Sequence, residues 1–421
     1  MLAACGGRIV PPDDGARAPV RQRPISPSQP NRPPRIGSIV PATPIQATPA
    51  TPVIGATTAA AIGLVAGPPI DTLPIDERQA EQAVAAFARS CPGLTRRVDT
   101  SGLTIGTDWQ SACAAAASVP PGGATTFLQR WFEADQVGDG RAFATGYYIP
   151  QIAASRERRA GYDTPIYGRP DDLVDVDLGQ FAADLKGRRI RGRVDRTNFV
   201  PYYDRTQIVG GAIDTRAPVL AWAADPVEFF FLQIQGSGVL RLTDGSEMRI
   251  GYATQNGRDY TGIGALMKAR GLLVPGQTSM QGIVAYLHSH PDEAVGLMNE
   301  NRSFVFFRVL DGDPPGALGY PVMGGVSAAV DAKFVPLGAP IFLSGDRADA
   351  TRLWIAQDTG GAIKGTNRID TFWGSGAEAE AIAGGMAARG TAFVLLPMGT
   401  LARIGGSRAI GGNNAGTYPR R

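Results

Sequence analysis

From Phe143 onward the chain is a succession of short apolar and aromatic runs separated by turn residues. This texture constrains the fold more than any other feature of the sequence. Runs of such length at modest spacing predict β strands, and helices do not alternate with them as in a βαβ protein. We therefore expect a mainly β, barrel-like architecture with accessory helices. The runs are Ala144 to Ile149, Val219 to Trp222, Phe229 to Ile234, Val239 to Leu242, Met248 to Tyr252, Phe304 to Val309, Ile341 to Leu343, Leu353 to Ala356 and Ala392 to Leu396.

The accessory helices are predicted both before and within the β region. Glu77 to Cys91 is amphipathic, with Val84 and Phe87 on its apolar face. Helical patterns also cover Asp108 to Ala117, Gly123 to Phe132, Ile263 to Arg270, Met280 to His288, Glu293 to Asn299 and Glu378 to Ala388.

The first 75 residues have a different composition. From Gly6 to about Ile75 the chain is rich in Pro, Ala, Thr and Arg. Such a stretch buries too little apolar surface to offset the entropy lost on ordering. We expect residues 1–75 to be a disordered or polyproline-like tether, with a folded body that starts near Asp76. Residues 401–421, rich in Gly and Arg, are predicted to be a flexible tail.

The three cysteines bear on location and cross-linking. Cys5 lies in the sequence LAACG, which resembles the box at which a bacterial lipoprotein is cut and lipidated. The basic start and the apolar run of about 7–15 residues that such a signal needs are missing. Either the recorded start is too late or the match is due to chance. Cys91 and Cys113 are either disulfide-bonded, in an oxidising compartment, or two buried thiols.

Charge and histidine content exclude some classes of function. The net charge of +3 favours neither nucleic acid nor an anionic membrane surface, so we expect no nucleic-acid partner. The only histidines, His288 and His290, match neither HExxH nor a facing helical pair, and we predict no metal site and no cofactor. The basic run from Arg188 to Arg193 is either a solvated loop or a contact for an anionic polymer.

Two aspartates stand in the Gly-rich, aromatic stretch from Trp354 to Gly376. A carboxyl pair in this frame, Asp358 and Asp370, indicates acid/base chemistry. Asp358 also begins the tripeptide DTG of aspartic proteases. Those enzymes need two such aspartates sharing a proton, and the sequence has no second DTG or DSG.

Five motifs resemble those of the membrane-bound lytic murein transglycosylase A family. They are TGYYIP (Thr145 to Pro150), FFLQIQGSG (Phe230 to Gly238), GYATQNGRDY (Gly251 to Tyr260), NRSFVFFR (Asn301 to Arg308) and QDTGGAIKGTNRIDTFWGSG (Gln357 to Gly376). The last motif also resembles the domain named for three aspartates, which here would be Asp331, Asp358 and Asp370.

The resemblance implies a six-stranded double-psi β-barrel domain interrupted by a second, smaller β domain, with a substrate groove between them. On this chain the barrel domain would comprise residues 76–150 and 311–400, and the insert residues 151–310. The implied activity is cleavage of the β-1,4 bond between N-acetylmuramic acid and N-acetylglucosamine in peptidoglycan, leaving 1,6-anhydromuramoyl ends. The family expectation is a periplasmic monomer, lipid-anchored to the outer membrane through Cys5, that acts on glycan strands beside other cell-wall enzymes.

By alignment with the family motif, Asp370 falls on the catalytic acid/base and Asp358 on an orienting partner. Burial and the charge of Asp358 are expected to raise the pKa of Asp370. Gln233, Gln235 and Ser237 alternate as in a strand, so we predict one shared polar face, in the groove or simply solvated. The predicted substrate-binding residues are Thr145, Tyr147, Tyr148, Gln233, Gln235, Gly236, Ser237 and Lys364.

A non-catalytic alternative stays open at this point. Double-psi barrels also occur in wall-loosening and carbohydrate-binding proteins, so the fold alone does not imply lysis. Such a module would bind peptidoglycan and release nothing.

Overall fold

The computed structural model describes residues 40–50, 53, 55–274 and 279–405, and every structural statement below concerns those residues. The helices are α1 (Ala59–Ile62), α2 (Glu77–Leu94), α3 (Gln110–Ala116), α4 (Ala124–Trp131), α5 (Arg205–Val209), α6 (Pro226–Gln235), α7 (Ile263–Ala269), α8 (Met280–Ser289), α9 (Pro291–Asn299), α10 (Ala377–Gly384) and α11 (Thr400–Arg403). The strands are β1 (Leu64–Ala66), β2 (Phe132–Val137), β3 (Arg141–Ile149), β4 (Gln151–Ser155), β5 (Thr164–Tyr167), β6 (Val174–Asp177), β7 (Arg189–Asp195), β8 (Asn198–Pro201), β9 (Val219–Ala223), β10 (Ser237–Leu242), β11 (Glu247–Gln255), β12 (Val305–Leu310), β13 (Ser327–Val330), β14 (Pro340–Gly345), β15 (Arg352–Asp358), β16 (Arg368–Ser375) and β17 (Ala387–Pro397). The expectation of a mainly β fold with accessory helices is confirmed.

Six strands close into a barrel. The order β17-β14-β15-β13-β16-β3 returns to its start because β3 pairs with β17 as well as with β16. Fully buried side chains such as Phe342, Trp354 and Leu395 fill the core of this domain. Closure leaves no free edge among these six strands. The double-psi crossing implied by the resemblance stays a prediction.

A layer of helices covers one side of the barrel. Asp76 caps α2 by accepting a hydrogen bond from the backbone N–H of Gln79 at 2.8 Å, as an N-terminal aspartate should. Phe87 on the buried face of α2 packs edge-on against Phe132, with ring centroids 5.3 Å apart. A disulfide between Cys91 and Cys113 joins α2 to α3, so the two cysteines are bonded rather than free.

The folded body begins before Asp76, and the prediction that it starts there is wrong. Strand β1 pairs antiparallel with β2 and extends the barrel sheet beyond the ring. The Pro-rich segment 40–50 also lies on the barrel, where the backbone N–H of Ile45 donates to the hydroxyl of Ser344 at 2.9 Å. Composition did not reveal this because the partner groups lie far away in sequence. Cys5 and the rest of residues 1–39 lie outside the described residues.

The chain leaves the barrel sheet after β3 and returns to it after β12. Directly after Pro150, strand β4 enters a second, six-stranded sheet of order β12-β11-β10-β4-β9-β5. Between β5 and β9 the chain forms a small antiparallel sheet of β6, β7 and β8. Strand β7 contains most of the basic run from Arg188 to Arg193. Helices α6, α7, α8 and α9 bury a separate apolar cluster that includes Phe230 and Met267.

Two predicted elements differ from the structure. The run Phe229 to Ile234, predicted as a strand, is the middle of helix α6, which Asp225 caps and Pro226 begins. Its apolar residues are buried on almost every side, so they show no helical period. The helix predicted to end at Ala388 stops at Gly384, because β17 starts at Ala387.

The predicted tail is folded at its start. Thr400–Arg403 forms α11, in which Leu401 is buried and Arg403 pairs with Asp108 at 2.8 Å. Residues 406–421 lie outside the described residues. No helix in the described part of the chain is long and apolar enough to traverse a lipid bilayer.

Candidate active site

Asp370 lies in the middle of β16, opposite Thr145 on the parallel neighbour β3. The Thr145 hydroxyl donates a hydrogen bond to Oδ1 of Asp370 at 2.5 Å. The same hydroxyl oxygen accepts a hydrogen bond from Nη2 of Arg368 at 2.8 Å. Arg368 and Asp370 are two residues apart on one strand, so they share a face of the barrel. These three side chains form one connected polar group.

Asp358 lies at the end of β15 and accepts three hydrogen bonds from protein donors. Its Oδ1 accepts from the backbone N–H groups of Ala317 at 2.9 Å and Thr359 at 2.8 Å. Its Oδ2 accepts from the phenol of Tyr147 at 3.0 Å. The ring of Tyr147 lies against Phe372, with centroids 4.9 Å apart. These hydrogen bonds fix the orientation of the Asp358 carboxyl against the Tyr147 phenol.

The surroundings raise the pKa of both carboxyls. Burial raises the pKa of Asp370 to about 6, with a smaller contribution in the same direction from the charge of Asp358. The Thr145 hydrogen bond and the Arg368 cation act in the opposite direction. Burial also raises the pKa of Asp358, against three hydrogen bonds that lower it. Asp370 is thus half protonated near pH 6, which suits a group that both gives and accepts a proton.

A cavity of about 240 Å³ lies between the barrel and the insert, next to this polar group. Thr145 and Gly146 form part of its wall from the barrel side. Gln235 and Tyr260 contribute polar groups from the insert side. The other lining residues are mostly apolar: Tyr148, Phe231, Ile234, Gly262, Ile263, Gly264, Met280, Ile283, Ala383, Gly384 and Met386. Apolar walls with a few convergent polar groups are typical of a small-ligand site.

A larger hollow of about 590 Å³ lies elsewhere on the barrel, between residues 44–50 and the segment around Arg389. It contains none of the predicted site residues. Since Thr145 both lines the smaller cavity and donates to Asp370, whose pKa is raised, we assign the candidate site there.

The structure places three of the eight predicted substrate-binding residues in the cavity wall. Thr145 and Tyr148 line the cavity, and Tyr147 binds Asp358. The side-chain oxygen of Gln235 accepts from the backbone N–H of Tyr148 at 3.1 Å, which links the insert to the barrel. Gly236 ends α6 with a φ of 80°, a left-handed conformation that favours glycine.

Gln233, by contrast, does not face the cavity. The prediction that it shares one face with Gln235 and Ser237 is wrong, because residues two apart on a helix point in nearly opposite directions. Gln233 is buried, accepts from Nη1 of Arg205 at 2.6 Å and donates to the carbonyl of Val305 at 3.1 Å. Ser237, after the helix, is half-buried at the start of β10.

Lys364 is exposed in the loop between β15 and β16, and its contact with substrate stays a prediction. The third aspartate of the motif, Asp331, shapes that loop. Its Oδ2 accepts from the backbone N–H of Gly365 at 2.9 Å. Asp331 therefore fixes the backbone of the loop that carries Lys364.

Two residues of the site were not singled out by the sequence analysis. Arg368 stands two residues before Asp370, a spacing that on a strand places both on one face. Tyr260 ends the motif GYATQNGRDY, and both burial and the charge of Asp370 raise the pKa of its phenol. In the described ranges, no group of three His, Cys, Asp or Glu side chains converges as metal ligands would.

Comparisons with known proteins agree with this architecture. The family model of the MltA specific insert domain matches residues 143–308, and that of the 3D domain matches residues 326–396. Membrane-bound lytic murein transglycosylase A of Escherichia coli (strain K12) is 31% identical over 268 residues. That alignment covers 61% of this chain and 66% of the relative, slightly less than two thirds of its length.

Two solved structures are similar over almost their whole length. MltA from Neisseria gonorrhoeae superposes with a TM-score of 0.63 at 35% identity, covering 86% of this chain and 96% of that one. The membrane-bound lytic murein transglycosylase from Agrobacterium tumefaciens gives a TM-score of 0.71 at 30% identity, covering 81% of this chain and 99% of that one. Since the family models match the two parts of the chain that build the site, and these structures share the fold, the chain belongs to the membrane-bound lytic murein transglycosylase A family.

Proposed function

We propose that this protein is a lytic transglycosylase that cleaves the β-1,4 bond between N-acetylmuramic acid and N-acetylglucosamine in peptidoglycan. The observation that carries the proposal is Asp370, a carboxyl whose pKa is raised to about 6 beside a cavity between two domains. The names of the relatives, lytic murein transglycosylases, support murein as the substrate.

The contacts of Asp358 support a lytic rather than a hydrolytic reaction. Ordinary glycosidases use two carboxylates, one as acid and one to activate water or form a covalent intermediate. Here three protein hydrogen bonds engage the oxygens of Asp358. That leaves Asp370 as the one carboxyl able to transfer protons.

One carboxyl suffices when the substrate supplies its own nucleophile. In the first step, protonated Asp370 gives its proton to the leaving glycosidic oxygen as the bond from C1 of muramic acid to that oxygen breaks. The C6 hydroxyl of the same sugar then attacks C1, and the carboxylate of Asp370 accepts the hydroxyl proton. The new C1–O6 bond closes the 1,6-anhydro ring, water is not consumed, and Asp370 ends protonated, ready for another cycle.

The test is mass spectrometry of the soluble products released from purified peptidoglycan. We expect anhydromuropeptides from the wild type and none from Asp370→Asn, which keeps the shape of the side chain but removes the transferable proton. Asp244→Asn, at an exposed carboxyl of a turn in the insert, is the matched control and should stay active. Reducing-end sugars would indicate a hydrolase instead. Binding without release would indicate the non-catalytic module.

We also propose a periplasmic location, with a lipid on Cys5 that holds the protein at the outer membrane. The word membrane-bound in the names of the relatives supports a cell-envelope location. The disulfide between Cys91 and Cys113 supports an oxidising compartment. Labelling with radioactive palmitate should depend on Cys5, and labelling that persists in Cys5→Ser would refute the anchor. The predicted monomeric state and the predicted association with other cell-wall enzymes stay predictions.

A further inference from the structure

The guanidinium of Arg368 is held at several points beside the reacting carboxyl. Its Nη1 donates to the carbonyl of Ile369 at 2.6 Å, and its Nη2 donates to Oγ1 of Thr145 at 2.8 Å. The guanidinium also stacks on the ring of Phe143, 5.0 Å from the centroid. A planar group fixed in this way keeps one orientation, which a flexible lysine would not.

The direction of each hydrogen bond follows from the chemistry of the donors. A guanidinium has only N–H donors and no acceptor, so Oγ1 of Thr145 must be the acceptor from Arg368. The hydroxyl has a single hydrogen of its own. That hydrogen points to Oδ1 of Asp370, which lies 2.5 Å from Oγ1. In the described part of the chain Oδ1 is the one acceptor that this hydrogen reaches, so a proton on Oδ1 would leave the hydroxyl hydrogen without a partner.

The other oxygen of Asp370 has a different environment. In the part of the chain that the structure describes, Oδ2 of Asp370 takes part in no hydrogen bond with the protein. A proton on Oδ1 would compete with the Thr145 hydrogen for the same short contact. A proton on Oδ2 avoids that conflict and stays accessible to a ligand.

We propose that Arg368 is a positioning residue, which acts through the Thr145 hydroxyl to reserve Oδ1 of Asp370 as an acceptor and to direct the transferred proton to Oδ2. This inference rests on the proposed function, because it assigns an atom to each proton transfer of that reaction. Oδ2 gives its proton to the leaving oxygen and later accepts the proton of the C6 hydroxyl. Arg368 and Thr145 would then act on the rate of bond cleavage more than on substrate binding.

The hydrogen bond from Thr145 and the charge of Arg368 also lower the pKa of Asp370. Burial raises its pKa, whereas the Thr145 hydrogen bond and the Arg368 charge lower it. Loss of either contact should therefore raise the pKa. Since the reaction starts with protonated Asp370, the fall of kcat/KM at high pH should move to higher pH. If the two residues served only folding, their loss would reduce the amount of active protein. It would not move this fall at high pH, which is the alkaline limb of the pH profile.

The experiment measures kcat, KM and the pH profile of the full chain on soluble glycan strands. Thr145→Val removes the hydroxyl at constant shape and should lower kcat about 10- to 100-fold with little change in KM, whereas Thr145→Ser should restore most of the rate. Arg368→Lys keeps the charge but loses the planar fork, and Arg368→Met loses both. We expect the alkaline limb to move upward in Thr145→Val and Arg368→Met.

Arg389→Met is the matched control. Arg389 stacks on the same Phe143 ring, 4.9 Å from the centroid, from the neighbouring strand β17. It shares the charge and the stacking of Arg368, but among the described residues it donates no hydrogen bond to Thr145. Its substitution should leave the alkaline limb where it is.

A double-mutant cycle tests whether Arg368 acts through Thr145. The loss of kcat caused by Arg368→Lys should largely disappear in the Thr145→Val background, since the link from Arg368 through Thr145 to Asp370 is already lost there. Additive losses, or an unchanged alkaline limb in Thr145→Val, would overturn the inference while leaving the transglycosylase proposal intact. A wild type that forms no anhydro product would instead refute the proposed function. In that case, the pKa of the Asp370 carboxyl can still be measured by NMR in the wild type and in Thr145→Val. A higher pKa in the variant would support the link through Thr145, and an unchanged pKa would contradict it.

Discussion

At the residue scale, the two central aspartates differ in what their oxygens contact. Asp358 receives three hydrogen bonds, two of them from backbone N–H groups. Within the described residues Asp370 receives one, from Thr145. The sequence alone presented both as members of one carboxyl pair. Backbone donors from distant loops, such as the N–H of Ala317, carry no signature in a sequence pattern, so their division of roles required the structure.

Asp358→Asn should separate the charge of this residue from its shape. The negative charge of Asp358 helps to raise the pKa of Asp370, so the neutral variant should have a lower pKa at Asp370. Because Asp370 must be protonated at the start, the alkaline limb of kcat/KM should move to lower pH, opposite to the shift expected for Thr145→Val. The Asn oxygen can keep both backbone hydrogen bonds, but its NH2 then faces the Tyr147 phenol, which must stop donating, so the fold should lose about 0.5–1.5 kcal/mol. A pH profile and urea unfolding measure the two effects, and a limb that moves upward would contradict this account.

Asp135 predicts a separate dependence of stability on pH. This side chain on β2 is 1% exposed, and neither of its carboxyl oxygens has a hydrogen-bond partner in the described ranges. Burial, assisted by the charge of Glu133, raises its pKa to about 7. The unfolded chain loses this proton near pH 4, so between about pH 4 and pH 7 the folded state holds one proton more. Stability should therefore fall as pH rises through that window, by roughly 4 kcal/mol in total.

Asp135→Asn removes the titrating group and should flatten this part of the stability curve. The free energy of unfolding, measured with urea at several pH values, should then change less between pH 4 and pH 7 than in the wild type. Above pH 7 the variant should be the more stable protein. Parallel curves for the two proteins would show that Asp135 stays ionised in the folded state.

At the scale of elements, strands were easier to predict than the helix that links the two domains. The apolar runs of β14, β15 and β17 were correctly predicted as strands, because a buried strand needs only a few consecutive apolar residues. Helix α6 has the same kind of composition, and its residues Phe229 to Leu232 are buried all round. Only its ends identify it as a helix: Asp225 and Pro226 at the start and Gly236 after its last residue.

Gly236→Ala tests the C-terminal end of α6. A side chain at this position would meet no atom within 4 Å, but the φ of 80° strains any L-residue. We expect a loss of about 1–2 kcal/mol in unfolding free energy, without a steric clash. Gly361→Ala is the matched control, since that site is equally open and lacks a positive φ. Equal effects of the two substitutions would refute the assignment of the strain to φ.

At the scale of the whole molecule, the chain crosses from the barrel sheet to the second sheet at the end of a sequence motif. TGYYIP ends at Pro150, where the barrel sheet gives way to the sheet of the insert. The polar, Pro-rich start was harder to interpret. The order of its residues 64–66 comes from pairing with β2, and Ile45 is bonded to β14 and β17, strands that lie far away in the sequence. Local composition indicates how much apolar surface a segment can bury by itself. It carries no information on strand edges elsewhere in the chain with which the segment can pair.

The segment 40–75 should therefore stabilise the barrel rather than act as a tether. Strand β1 buries Leu64 and Val65 against the barrel, with exposed fractions of 2% and 9%. Two such side chains contribute about 3–6 kcal/mol when removed from water. A chain that starts at residue 76 should accordingly unfold at lower urea concentration than one that starts at residue 40. It should also aggregate more readily, because the edge of β2 that β1 covers becomes free to pair with other chains. Leu64→Ala in the longer chain, which keeps the strand but removes most of one buried side chain, should give an intermediate midpoint. Coincident midpoints for all three proteins would mean that the segment contributes nothing to the fold.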